Sequence, residues 1–301
     1  MIFLEFFYNI LPLYGLILLG FIAGRRLGVD QKALSQLLIY CVMPIALFFF
    51  VARMEFDPGV IVLFVKVFCF SLLLGALVLR ITRLYLSNKL ALMLAAMGGN
   101  NNWGYFGLPV ALVFFDAQTL AVYVLIGFSS SLYLSSAGIY YLSRGEMTSL
   151  QSIGNMFRFP LVYGILAGLF WSYFALPLPN VLLEVHVWFK GALTVMGMML
   201  VGLGLAQVKQ LKGGGLFLAN VLALRFIVWP VCALAAIYFG LVAAPYQAPL
   251  LLFSVMPVAA NMVAFANQFN VSRSKVSFSI LVSTLVTLLA IPLMMQYAMS
   301  L

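Results

Sequence analysis

The sequence predicts an all-α integral membrane protein of ten transmembrane helices, built as two inverted five-helix repeats with the fourth and ninth helices interrupted. Three observations predict it. The chain is 65% hydrophobic and 8% charged over 301 residues, whereas a soluble domain carries about 25% charged residues. Apolar runs recur from end to end at roughly 3–24, 33–52, 58–79, 88–115, 119–142, 153–175, 181–206, 215–240, 247–269 and 273–298, each able to supply the ~20 residues a spanning helix needs. The basic residues fall on one side of that count.

The gaps after spans 1, 3, 5, 7 and 9, with their flanks, hold Arg25, Arg26, Lys32, Arg80, Arg83, Lys89, Arg144, Arg158, Lys209, Lys212, Arg273 and Lys275, against Asp30 and Glu146. The opposite side holds Arg53 and Lys190 against Glu5, Glu55, Asp57, Asp116 and Glu184. The positive-inside rule then puts the odd-numbered gaps in the cytoplasm and both termini outside. Five spans per half set two similar halves in opposite orientations, with repeat one at about 1–145 and repeat two at about 150–301 of a single membrane domain.

The net charge of +9 is explained by this sidedness and suits an anionic lipid surface rather than nucleic acid. Cys41, Cys69 and Cys232 form no C-x-x-C pair and read as packing residues. The chain has no metal-ligand cluster, phosphate loop, nucleophile elbow or Ser/His/acid set, so neither a metal, nor a cofactor, nor an enzyme is expected.

Span 1 opens apolar with Glu5 and lacks the basic region and cleavage site of a signal peptide. Its Leu13-Tyr14-Gly15-Leu16 resembles Val162-Tyr163-Gly164-Ile165 of span 6, one echo of the repeat. Pro44 is expected to kink span 2. Lys66 in span 3 and Arg225 in span 8 stand at counterpart positions. A charge at the bilayer centre costs about 2.5–3.5 kcal/mol on insertion scales, so each either faces a cavity or a partner or snorkels to an interface. No Asp or Glu lies deep in any span, which argues against a carboxylate ion site and for an anionic substrate. In span 7, His186 beside Glu184 reads as solvated or as a proton sensor, and Trp171 of span 6 and Trp188 of span 7 suit an outer aromatic belt.

Span 4 is interrupted by Gly98-Gly99-Asn100-Asn101-Asn102-Trp103-Gly104, leaving apolar pieces of 8 residues (90–97) and 11 residues (105–115). Neither crosses a bilayer alone, and unwound backbone is tolerated at that depth only where protein or a wet cavity satisfies it. Gly98, Gly99, Gly104 and Gly107 permit the break, and Pro109 suits the start of the second piece. Span 9 has its own break at Met256-Pro257-Val258-Ala259-Ala260-Asn261. Interrupted spans at matching positions of two repeats point to a transporter's binding site. Asn100, Asn101, Asn102 and Asn261 therefore read as substrate ligands, as helix caps, or as both; Asn267 and Gln268 read as interfacial.

These residues resemble the auxin efflux carrier family, which includes the plant PIN-FORMED auxin exporters and bacterial organic-acid permeases. Asn102, Gly107 and Pro109 match the family's N-x-x-x-x-G-x-P pattern. Met256-Pro257 through Phe265 to Phe269-Asn270-Val271 is similar to its ninth span, and Pro292 matches a proline late in the tenth. The resemblance implies a fold like that of sodium/proton antiporters and bile acid symporters. A scaffold of spans 1, 2, 6 and 7 would carry a moving transport domain of spans 3–5 and 8–10, and the interrupted helices would cross at two prolines. It also implies that the matched asparagine helps hold a substrate carboxylate, and it allows a homodimer. Pro257 fits the second crossing proline, while Asn101 stands where the plant carriers have the first.

The expectation is thus a secondary transporter that moves a small organic anion, a carboxylate, by an alternating-access, elevator-like movement. The membrane is expected to be a bacterial inner membrane and the direction efflux. A sodium-coupled bile-acid-like symporter, a channel and a membrane enzyme are the alternatives.

Overall fold

The computed structural model describes residues 2–143, 160–208 and 214–300. Arg144, Glu146, Arg158, Lys209 and Lys212, all part of the charge asymmetry, lie outside the described residues. Every element among the described residues is helical. In order they are α1 (Phe3–Leu27), α2 (Gln31–Ala52) and α3 (Pro58–Thr82), then α4 (Asn88–Gly98) and α5, which runs through Trp103–Gly107 and Leu108–Phe114. There follow α6 (Ala117–Leu142), α7 (Pro160–Tyr173), α8 (Asn180–Ala206) and α9 (Gly215–Tyr238). The last three are α10 (Ala244–Ser254), α11 (Met262–Gln268) and α12 (Arg273–Ala298).

Seven of these helices, α1, α2, α3, α6, α8, α9 and α12, are long and apolar enough to cross a membrane. The protein is therefore an all-α membrane protein. α7 is apolar but has 14 residues, and α4 and α10 have 11 residues each, which is half a bilayer. Where the sequence expects single interrupted spans, the chain makes the pairs α4–α5 and α10–α11.

Acidic residues near the helix ends act as N-caps. Asp30, Asp57 and Asp116 accept the backbone N–H groups of Lys32, Gly59 and Thr119 at 2.9, 2.8 and 2.8 Å, satisfying donors that a helix start leaves free. Three prolines follow π-helical turns: Leu38–Val42 precedes Pro44, Trp103–Gly107 precedes Pro109 and Leu224–Val228 precedes Pro230. Proline lacks a donor and its ring clashes with the carbonyl four residues back, and a wider turn removes both conflicts. At Pro44, where the sequence expects a kink, α2 carries one of these wider turns.

Two helix pairs pack backbone to backbone. A Cβ at Gly20 of α1 would lie 2.1 Å from the Met199 carbonyl of α8, and one at Gly202 of α8 would lie 2.0 Å from the Ile17 carbonyl of α1. α7 meets α2 in the same manner, with Gly164 against the Pro44 carbonyl. The centre is filled by α4 and α6, where Ala91–Gly98 and Leu120–Ser130 are buried without interruption.

Two expectations change. Cys41 and Cys69 are exposed and Cys232 is partly so, because they fall on helix faces turned away from the bundle rather than in packed positions. His186 is not solvated. It is 6% exposed, with ring contacts to Phe49 and Phe50 at 5.5 Å, because α8 turns that face toward α2.

Candidate functional site

The chain breaks after α4 and α10 meet. The backbone N–H of Asn102 donates to the carbonyl of Pro257 at 2.8 Å, so each break satisfies a polar group of the other. Side chains from neighbouring helices satisfy the free carbonyls at the helix ends. From α9, Arg225 Nη2 donates to the carbonyls of Met97 and Asn100, and Trp229 Nε1 donates to that of Gly98 at 2.7 Å. From α6, the Tyr133 hydroxyl donates to the carbonyl of Ala95 at 2.6 Å. The end of α10 is closed from the opposite break, where Asn101 Nδ2 donates to the Phe253 carbonyl at 2.9 Å. Val258 N–H finds Ser283 Oγ of α12 at 3.2 Å.

Arg225 is 1% exposed. Its guanidinium sits at the C-terminal end of α4, where unpaired carbonyls concentrate partial negative charge. Its Nε and Nη1 have no partner among the described residues. Lys66 is elsewhere: it is exposed, its ammonium donates to the Leu241 carbonyl at 2.9 Å, and the chain does not bring it to the asparagines.

Beside the junction is a cavity of about 90 Å³ lined by Asn100, Asn101, Asn102, Ser131, Ser135 and Asn261, with Met43 of α2 and Phe265 of α11 on its apolar walls. Asn102 precedes α5 and Asn261 precedes α11, but neither side chain makes a capping bond. Instead the buried Asn102 Nδ2, Asn101 Oδ1 and Asn261 Oδ1 have no partner among the described residues. Leaving a buried polar group unpaired costs about 1–3 kcal/mol, so three around one cavity mark a place for a polar guest. Asn100 is spent on structure, donating to Met262 Sδ at 3.3 Å and accepting from Ser130 Oγ at 3.4 Å.

The expected framework residues line the break. A Cβ at Gly99 would lie 2.5 Å from that of Ser71, and one at Gly107 would lie 1.9 Å from the Tyr123 hydroxyl. A Cβ at Gly98 would lie 3.1 Å from Gly75 Cα, and one at Gly104 would lie 3.0 Å from Met43 Cε. Pro109 sits at the start of the second segment of α5. Sequence reasoning missed the serines of α6: Ser130 accepts Asn101 N–H at 3.2 Å and Ser131 accepts Trp103 Nε1 at 3.0 Å. Their run Ser129-Ser130-Ser131, polar within an apolar span, was the available signal.

Residues 146–295 match the family model described as membrane transport protein. That segment carries the auxin efflux carrier family domain. The matched segment holds Arg225, Pro257 and Asn261, and the three consecutive asparagines precede it. No curated protein matches the chain. The family indicates an integral, multi-pass membrane transporter, and its members are transporters rather than enzymes.

Proposed function

We propose that the protein carries a small organic anion, a carboxylate, across the membrane by alternating access, with the substrate held at the two helix breaks. The observation that carries this reading is Asn102 Nδ2, a buried amide donor without a partner among the described residues, on a residue that lines the cavity. An amide N–H donates to a carboxylate without fixing a charge there, which suits a carrier that must release what it binds. The start of α5 adds free backbone N–H groups and a positive dipole end beside it.

In this reading α4–α5 and α10–α11 are the interrupted fourth and ninth of ten spans, and α7 is the sixth. The inverted repeat is supported by the glycine contacts: exchanging the halves turns the pairing of span 1 with span 7 into that of span 6 with span 2, and both pairs pack through glycine. The shared scaffold would then be spans 1, 2, 6 and 7, leaving spans 3–5 and 8–10 to move. The basic-residue asymmetry supports termini outside, and the membrane in this reading is a bacterial inner membrane.

Arg225 supports independence from sodium, because a resident cation at the end of α4 supplies the positive charge that an exchangeable ion would otherwise bring. With no ion to drive it, an anion follows the membrane potential, worth about 2.3 kcal/mol per charge per 100 mV, or roughly 50-fold, outward from a negative interior. Replacing sodium by choline at constant potential is expected to leave proteoliposome transport unchanged, and loss of transport would favour a sodium-coupled symporter.

The test of the site uses a carboxylate selected by a thermal-shift screen of organic acids. Asn102→Ser is expected to weaken binding by about one charge-assisted hydrogen bond, 1.5–3 kcal/mol or roughly 10- to 150-fold. Asn102→Asp is expected to be worse, because it sets like charge against the ligand. Wild-type affinity in a stable Asn102→Asp protein overturns the reading.

A further inference from the structure

A second cavity, of about 230 Å³, lies at the other end of α5. Its lining includes Arg53 at the end of α2, Leu112 and Phe115 at the end of α5, Asp116 before α6, and His186 and Lys190 of α8. α2 lines both cavities, with Met43 at the asparagines and Arg53 here. The ten positions from Met43 to Arg53 rise about 15 Å, so the two cavities are separate places on one helix.

The charged groups around this second cavity favour an anion. Arg53 and Lys190 contribute two cations against one carboxylate, and Asp116 already accepts the Thr119 N–H at 2.8 Å. Glu55 and Glu184 are not among the lining residues. The histidine supplies the second, independent observation: it is 6% exposed, wedged between Phe49 and Phe50, and its Nδ1 is buried with no partner among the described residues. His186 lines the cavity, and its Nδ1 is a directional hydrogen-bonding group with no partner among the described residues.

We propose that this cavity is a second binding site for a small carboxylate, in which Arg53 and Lys190 supply charge and His186 Nδ1 a directed hydrogen bond, while Phe50 and Phe115 flank the anion's apolar body. The choice of carboxylate rests on the transport reading; the preference for an anion rests on the cavity alone. In the transport reading the site lies where a carried anion would be taken up or released. Both cations are exposed, so occupancy falls with ionic strength.

The chain has one histidine, so its imidazole resonance reports on this cavity and no other. The experiment titrates benzoate, with benzamide as the neutral isostere, into isotope-labelled protein in nanodiscs while following the His186 ring signals. Benzoate is expected to shift them saturably and benzamide to leave them in place. The shift is expected to persist in Asn102→Asp and to need several-fold more benzoate in Arg53→Gln/Lys190→Gln of native thermal stability. Absence of a shift, an equal shift with benzamide, or an unchanged titration in the double variant overturns the proposal. A shift lost in folded Asn102→Asp also overturns it, since that result assigns the response to the central site alone. Failure of the central reading looks different: ligand affinity there is unaffected by Asn102→Asp while the His186 titration stands.

Discussion

The N–H of Asn102 and the carbonyl of Pro257 join the two chain breaks through one 2.8 Å hydrogen bond. The residues are 155 positions apart, by subtraction of their numbers, and each belongs to backbone that has left its helix. In hydrocarbon such groups have no water to turn to. The bond therefore ties the α4–α5 pair to the α10–α11 pair at the depth where both are open, and the three unpartnered amide atoms gather around that tie.

Asn101 tests how the tie is supported. Its N–H goes to Ser130 Oγ and its side-chain amide to the Phe253 carbonyl, and proline, which plant carriers have at this position, can supply neither donor. Asn101→Pro is expected to lose about 1–3 kcal/mol of stability, read as a lower thermal midpoint, with ligand affinity reduced alongside. A midpoint equal to wild type would mean that these bonds do not hold the end of α10.

Arg225 is expected to matter for stability first. Two charge-assisted bonds to the Met97 and Asn100 carbonyls are worth about 3–6 kcal/mol together, but removing a buried guanidinium also relieves its desolvation. Arg225→Met should therefore lose less, about 2–4 kcal/mol. Arg225→Lys, a point charge without the planar fork that reaches both carbonyls, should fall between. Denaturation in a mild detergent measures the series, and equal stability of all three proteins would remove Arg225 from the frame.

Gly127 and Gly15 make a matched pair. A Cβ on Gly127 would lie 2.2 Å from the Trp103 ring, whose Nε1 is fixed to Ser131, while one on Gly15 meets nothing within 4 Å. Gly127→Ala is expected to destabilise by about 1–3 kcal/mol through overpacking and to impair transport by shifting Trp103 beside Asn102. Gly15→Ala is expected to leave both unchanged. Transport per folded molecule, measured for each, separates a strained site wall from a general effect of glycine replacement.

Acid is expected to weaken the contact between α3 and α10. The hydrogen bond from Tyr246, and then that from the Gly59 N–H, hold the Asp57 carboxyl below the usual carboxylate range. A lowered folded pKa means that the stability Asp57 contributes is complete above the unfolded value, about 3.9. It is lost as pH falls through the folded value. Asp57→Asn should be less stable than wild type at neutral pH and show a shallower loss of thermal midpoint below about pH 4. Superimposable midpoint curves against pH would exclude the contribution.

Much of this was readable one residue at a time. Apolar length marked the seven long helices within a few residues of where they lie. Gly98-Gly99 followed by three asparagines marked the first break, and Pro257 the second, because chain unable to stay helical is visible in local chemistry. The partners were not readable. Nothing in the local sequence says that Asn101 closes the end of α10, that the serines of α6 hold the asparagines in place, or that Lys66 and Arg225, alike as charges in apolar runs, end in unlike surroundings. Arg225 is spent on two backbone carbonyls, while Lys66 reaches the Leu241 carbonyl.

The sequence by itself determined the all-helical membrane class, the positions where helices break and the side chains available at each break, since all three follow from apolar length and local backbone chemistry. Only the tertiary structure decided which amides are consumed in bonding and which, like Asn102 Nδ2, remain free, and that His186 is enclosed rather than solvated. The physical reason is range. Helix propensity and transfer free energy act within a few residues along the chain, whereas satisfying a buried polar group depends on whichever distant segment packs against it, and that is fixed only when all the helices are in place.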